Sequence, residues 1–433
     1  GVLTPHLMRL TPLSPPEPFI RPAAPTTDAG ITVQDTLTVD YGIVFTPNEV
    51  QLAINGIDFT PTGVDLTRNQ VSVGDFINTV LNGDGSEPLA PYFAYLANLQ
   101  PGDEAVLSDL LERVHAEPYA AMLAPVLFSA QRFGNLLQSC PVDGDTGTVI
   151  AEGQCLWARM SGGYLEKDST RDFSATDETS YAFSTGGQFY LAPHLHVGGA
   201  IEYEQTDFQH GRSLSSKGDR MNFGGVLKYQ AGTTLLSAAA AGGYGWYDTT
   251  RIVDLGFIVP GANRAEADND IAHVHFQLRA AQLFTAGNLY AKPIIDLTAT
   301  YLATRAFEET GLGALNLQFA NQGEWVYAAS PSLELGAQLT NEHGVLFRPY
   351  IRGGVTRFSE NTLGINSTFE GAPASAATFG SVSDLDRTVA NVTAGIDVLD
   401  PADGFDLRFS YDGRFGEDNI EVHSGSARFI LNY

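Results

Sequence analysis

The sequence predicts an all-β protein: a transmembrane antiparallel β-barrel of about 12 strands, preceded by a small mixed α/β part. Three observations carry the prediction. No apolar stretch approaches the roughly 18 residues that a spanning helix requires, the oiliest being Tyr92–Ala97 and Leu235–Ala241. Beyond Gln154 the chain breaks into short segments with a period of two. The joints between those segments alternate between tight and long, as in barrels with short turns at one rim and long loops at the other.

Composition narrows the function. Apolar residues make up 43% of the 433 and aromatics 10%, which is ample for burial and far from a disordered chain. With 50 acidic against 24 basic residues the formal charge is −26, which excludes non-specific nucleic-acid binding, since that needs a cationic face. Cys140 and Cys155 form an isolated pair that reads as a disulfide rather than a metal site, with two buried thiols as the alternative. The opening at Gly1 reads as that of a processed product.

Residues 1–30, rich in Pro and Thr, read as an extended leader, and 31–60 carry weak strands such as Val50-Gln51-Leu52-Ala53-Ile54. From Asp65 the period becomes helical until Gly83-Asp84-Gly85 stops it. A second helix is expected over Asp103–His115 and a third from Tyr119 or Pro125 to about Gln138, since Pro is accepted in a first helical turn. The expected division is 1–64 leader and remnant, 65–152 helical junction with a helix near 119–139, and 153–433 barrel.

The barrel segments fall near 154–165, 179–191, 195–205, 219–231, 233–248, 270–284, 287–303, 325–340, 344–357, 387–399, 403–415 and 419–433. In the fourth, Met221, Phe223, Leu227 and Tyr229 alternate with Asn222, Gly224, Val226 and Lys228. In the eleventh, Phe405, Leu407, Phe409 and Tyr411 alternate with Asp406, Arg408, Ser410 and Asp412. Joints such as Ala192-Pro193-His194 and Ala231-Gly232 are tight, whereas 166–178, 206–218, 249–269, 304–324 and 358–386 are long and polar. Pro293, Pro331 and Pro349 all fall in the outward register, where a missing donor is unexpected, and are read as marking bulges. On the fifth segment the inward residues Ser237, Ala239, Ala241, Gly243 and Gly245 are small, which suits an α-helix lying against the wall inside the lumen.

Three places resemble the autotransporter family of type V secretion. Leu156-Trp157-Ala158-Arg159 is similar to the opening of that family's barrel. The last two strands, Leu407–Phe415 with its Tyr411-Asp412-Gly413 and Val422–Tyr433, are similar to its closing pair. Leu66–Gln70 and Ala116–Ala120 resemble its helical segments between passenger and barrel. One position departs: Arg428 stands five residues before the terminal aromatic, where the family usually has Gly. The resemblance implies an outer-membrane translocator that anchors and exports its own passenger, leaving a junction helix as a plug and its N-terminal part at the cell surface. It also implies that Phe429, Leu431 and Tyr433 form a signal read by the outer-membrane assembly machinery. Some members cleave themselves at an Asn on the plug helix with help from a lumen carboxylate, which would place that role on Asn135 here.

Candidate chemistry is otherwise sparse. The sequence has no Gly-x-Ser-x-Gly elbow, no His-Glu-x-x-His and no phosphate-binding loop with Lys, so no enzyme and no cofactor are expected. His194 with His196, and His273 with His275, could each share a strand face as metal ligands, but a metal site needs more ligands than such a pair supplies, and polar lumen or rim positions are the reading adopted. Asp143-Gly144-Asp145 and Asp397 to Asp403 are acidic turns without the full ligand ladder of a calcium loop. Glu202, Glu204, Asp296 and Glu334 are expected lumen carboxylates. The rival readings are an outer-membrane adhesin acting through its loops, and a hydrolase with its site at the outer rim.

Overall fold

The computed structural model describes residues 2–3, 18–20, 32–45, 50–138, 140–142, 151–400, 405–417 and 420–432. Twelve strands succeed one another around a closed barrel: β1 (Cys155–Lys167), β2 (Thr176–Ala192), β3 (Leu195–His210), β4 (Leu214–Ala231), β5 (Thr234–Ile252) and β6 (Arg264–Gln282), then β7 (Leu289–Thr304), β8 (Gln322–Ala337), β9 (Leu346–Phe358), β10 (Thr388–Asp400), β11 (Phe405–Gly416) and β12 (Ile420–Asn432). Each pairs antiparallel with its neighbours, and β12 returns to β1 with Leu431 opposite Leu156 and Gly425 opposite Gly162. Closure leaves no row of unpaired backbone groups, which is the condition for a sheet to survive in lipid.

The faces are the reverse of a soluble sandwich. On β3, Glu202 and Glu204 are buried inside while Ile201 is 56% exposed outside. On β4, Asn222 and Lys228 are inward and Phe223 is 62% exposed. An oily exterior of this extent around a polar interior fits a lipid-facing wall. On β2, Tyr181 and Phe189 both point outward, eight residues apart. That is about 26 Å along a strand and, at a tilt of about 40°, about 20 Å across the bilayer, which approaches the height of an apolar band between two aromatic girdles.

The strands run past the lipid at the loop rim. The connection expected over 206–218 is mostly strand, because β3 and β4 stay paired out to His210 opposite Leu214. Residues in water need no oily face, so hydropathy loses the period while the ladder continues. The three outward prolines mark no bulge. The β6–β7 ladder stops at Ala281 opposite Ile294 and resumes in the same register at Phe284 opposite Ala291, which leaves Pro293 in the gap. Pro331 lies in the break between Ala329–Arg357 and Ser332–Gly354, and Pro349 between Gly336–Tyr350 and Leu339–Phe347. Each proline removes a donor on one side and interrupts one of its two ladders without a shift of register.

Before the barrel, Val39–Phe45 and Val50–Ile57 form a hairpin. Five helices follow: α1 (Arg68–Asn82), α2 (Ala90–Ala97), α3 (Glu104–Glu112), α4 (Glu117–Ala121) and α5 (Leu123–Leu137). A capping box of Thr67 and Gln70 starts α1. Helix α2 is not expected from the sequence pattern; its eight residues are too few to show a period, and Pro91 at its start supplies the fixed φ of a first turn. The third expected helix is two pieces. Pro125 has no N–H to give the carbonyl of Ala121 and its ring crowds that carbonyl, so the helix breaks at Met122.

The long connections are not free loops. Phe307–Glu308, Leu317–Phe319, Thr362–Phe369 and Phe379–Asp384 build a four-stranded sheet over the loop rim. Helices α1 and α4 pack on it: Phe76 meets Phe369 and Phe379, and Tyr119 meets Phe307 and Phe319. Beneath them Arg251 forks onto Glu309 with two bonds of 2.6 Å, and the Tyr119 hydroxyl donates to the same carboxylate at 2.8 Å.

Candidate functional site

Helix α5 lies inside the barrel. It runs from the loop rim, where α4 precedes it, to the turn rim, where Ser237 at the foot of β5 donates to Gln138. Its 15 residues span about 22 Å at 1.5 Å per residue, nearly the lipid height of the wall. One side is apolar at its lower end: Phe133, Leu136 and Leu137 pack with Trp157, Ala200, Val226, Ala239, Ala241 and Ile430. The small inward residues of β5 are what let the helix approach.

Polar pins set its height. The Ser129 hydroxyl donates to Glu204 at 2.6 Å, and Arg132 donates to Glu204 at 2.6 Å and reaches Glu202 at 3.5 Å. Arg279 donates to the Asn135 side-chain oxygen at 2.8 Å while holding Asp296, and Gln277 donates to the same two residues. Arg414 donates to Gln131 at 2.7 Å. Gly134 is required where it stands, because a Cβ there would lie 2.6 Å from His275 Nε2 and 2.9 Å from Gln277 Oε1.

Beside α5 runs a cavity of about 260 Å³ lined by β1 and β6–β12, with a few charged or polar residues reaching it from β2–β4. Ten of the chain's 24 basic residues line it, against seven carboxylates, so the interior is cationic in a protein of charge −26. The sequence reading did not find this. Its signal was in the inward registers, where Arg159, Arg348, Arg408 and Arg428 all fall.

At the top of the plug a second network ties helices to barrel. The backbone N–H of Glu117 donates to His115 Nδ1 at 3.2 Å, which leaves Nε2 as the protonated nitrogen, 3.0 Å from Glu112. Burial pushes the Glu112 carboxyl up, but the hydrogen bond and charge of His115 together with the Gln70 amide outweigh it and hold the group below its ordinary value. Glu117, fully buried, accepts from Asn69 at 2.9 Å and from the Ser174 N–H at 3.0 Å, with His210 at 3.4 Å.

The expected site residues fall as follows. Cys140 and Cys155 are joined, tying the end of α5 to the start of β1. Phe429 and Leu431 point outward from β12; Tyr433 lies outside the described residues. Glu202, Glu204, Asp296 and Glu334 all face the lumen. His194 and His196 do not share a strand face: His194 is in the turn with φ +69°, exposed, whereas His196 is buried on β3 against Tyr190. His273 and His275 do share one, and His275 pairs with the Thr300 hydroxyl at 2.8 Å. Asp397 is not a turn ligand but a buried strand residue held by Arg348 and Arg408; Asp143 to Asp145 lie outside the described residues.

A closed sheet, oily outside and polar inside, occluded by a helix of its own chain, defines a plugged outer-membrane barrel. The autotransporter beta-domain family model matches residues 156–412, and the chain belongs to that family. Similar solved structures include the translocator domain of the autotransporter NalP from Neisseria meningitidis. It is 14% identical with a TM-score of 0.57, over 73% of this chain and 99% of that one. The beta domain of the Bordetella autotransporter BrkA is 18% identical with a TM-score of 0.51, over 65% of this chain and 100% of that one. No curated protein sequence matches. The chain is thus an outer-membrane translocator barrel.

Proposed function

We propose that this barrel anchors and exports its own N-terminal part, which stands at the cell surface with α5 left behind as the plug. One observation supports the reading above the others. Residue 123 is at the loop rim and residue 137 at the turn rim, where β1 begins, so the chain before β1 runs the full height of the lumen. A chain threaded this way is what passage of the N-terminal part through the pore would leave behind. Phe429 and Leu431, outward on the strand that closes the sheet, suit a contact with the assembly machinery before closure. The reading assigns no chemical reaction to the chain. It also leaves the adhesin rival little free loop surface, because α1 and α4 cover the apolar side of the rim sheet.

Topology is the test. Ala105 is exposed on α3 and Glu342 is exposed at the opposite, turn rim. On intact cells a membrane-impermeant thiol reagent should label Ala105→Cys and spare Glu342→Cys until the outer membrane is permeabilised. Protection of Ala105→Cys on intact cells would overturn the export reading, as would labelling of Glu342→Cys.

A further inference from the structure

The barrel register assembles a row of charges that no local stretch of sequence contains. Arg159 on β1 stands directly opposite Arg428 on β12, and Arg428 directly opposite Arg408 on β11. The row continues through Asp397 on β10 to Arg348 on β9. Residues directly opposite have their Cβ atoms about 5 Å apart, and like charges so placed repel. Along this row four arginines face one carboxylate, and that carboxylate is taken: Arg348 and Arg408 both donate to Asp397, while Glu202 and Asp412 stand near Arg159 without forming an ion pair with it.

Arg159 and Arg428 are left. Neither makes an ion pair among the described residues, and their side chains are 7% and 4% exposed. The Trp157 ring covers one face of the Arg428 guanidinium at 4.1 Å, but Nε and Nη2 have no hydrogen-bond partner among the described residues. Ser161, two residues along β1 from Arg159 and opposite Ser426, is buried with its hydroxyl likewise unpartnered. Buried polar groups are satisfied as a rule, and a buried unpaired cation is costly, so Arg159 and Arg428, which both line the cavity, point to an acceptor, with the Ser161 hydroxyl two residues along β1.

We propose that Arg159 and Arg428, with the Ser161 hydroxyl, form an oxyanion site in the lumen beside α5, for a small tetrahedral anion such as phosphate or sulfate. Guanidinium groups present paired donors that match two oxygens of such an anion, which a point-charge ammonium does not. The site is particular to this chain rather than to its resemblance, since Arg428 stands where Gly is usual. It needs only the barrel register and is independent of whether the N-terminal part is exported.

Inorganic phosphate is the probe, added to the full chain folded in detergent and followed by the broadening of its phosphorus resonance. Saturable broadening is expected, reversed by excess sulfate and weakened at least tenfold in Arg428→Gln and in Arg159→Gln. Heat-modifiable migration confirms that each variant is folded, and if Arg428→Gln does not fold, Arg159→Gln decides. Arg171→Gln, an exposed loop substitution, should bind as the parent does. Absence of saturable binding, binding unchanged in the folded lumen variants, or equal loss in Arg171→Gln would each overturn the proposal.

Discussion

Replacing Arg132 by methionine tests how α5 is held. The Arg132 guanidinium lies 2.6 Å from Glu204 and 3.5 Å from Glu202, and both carboxylates are sealed from solvent. Removing one partner of a buried pair costs about 3–5 kcal/mol, because the remaining charge is stranded. Here the lower end applies. Glu204 keeps Arg220 at 3.6 Å, and Glu202 keeps the Ser184 hydroxyl and the Asn222 amide. The cost falls on the plugged state alone, since withdrawal of the helix lets water reach both carboxylates. About 3 kcal/mol corresponds to about a hundredfold rise in the unplugged population. Single-channel recording in planar bilayers should show large-conductance openings about a hundred times more often in Arg132→Met. Adding Glu204→Leu should recover part of the difference, because the stranded charge is then gone. Openings as rare as in the parent would refute the argument that this pair pins the helix.

Three further outcomes follow from the same contacts. Gly134→Leu should also unseat α5, since overpacking costs about 1–3 kcal/mol and His275 and Gln277 leave no room; a parental opening frequency would contradict this. Joint replacement of Cys140 and Cys155 by serine should lower the temperature at which the folded form converts to the slower-migrating one in electrophoresis. The loop-entropy model gives about 3 kcal/mol for a loop near this size, reduced here because Leu136 and Leu137 already hold the helix end; an unchanged transition would count against a structural role. Glu112, held below its ordinary value in the fold, contributes stability that is present above the unfolded value of 4.5 and lost as pH falls through the lower folded one. Hydrogen-exchange protection in α1 and α3 should therefore fall only at pH below 4.5, and Glu112→Gln should abolish that dependence; the same acid profile in both proteins would show that another group is responsible.

Much of the barrel was legible because lipid imposes a rule on every second residue. Met221, Phe223, Leu227 and Tyr229 on β4 and Phe409 and Tyr411 on β11 are outward as their alternation indicates. The small inward stripe of β5 likewise announced a helix against the wall. The rule fails above the lipid, which is why Thr206–His210 and Leu214–Gly218 looked like loop. The rim sheet was missed for a different reason: Leu363, Ile365 and Phe369 do alternate, but the oily face they make is covered by α1 and α4, whose contribution no local pattern shows. The prolines were seen and their consequence misjudged, since a bulge shifts the register and these breaks do not. Least legible was the charge row, because Arg159 and Arg428 are far apart in sequence and meet only when β12 closes on β1.

The account rests on α5 filling the pore of a membrane-spanning barrel, and ionic conductance measures that directly. Deleting residues 123–137 and inserting in their place a Gly/Ser linker of equal length, which still spans the lumen, while keeping Cys140 and all twelve strands, should leave a barrel with heat-modifiable migration and a steady conductance several times that of the parent. A folded deletion variant with the parent's conductance would show that α5 does not occupy the lumen, and the threading that supports export would have to be abandoned.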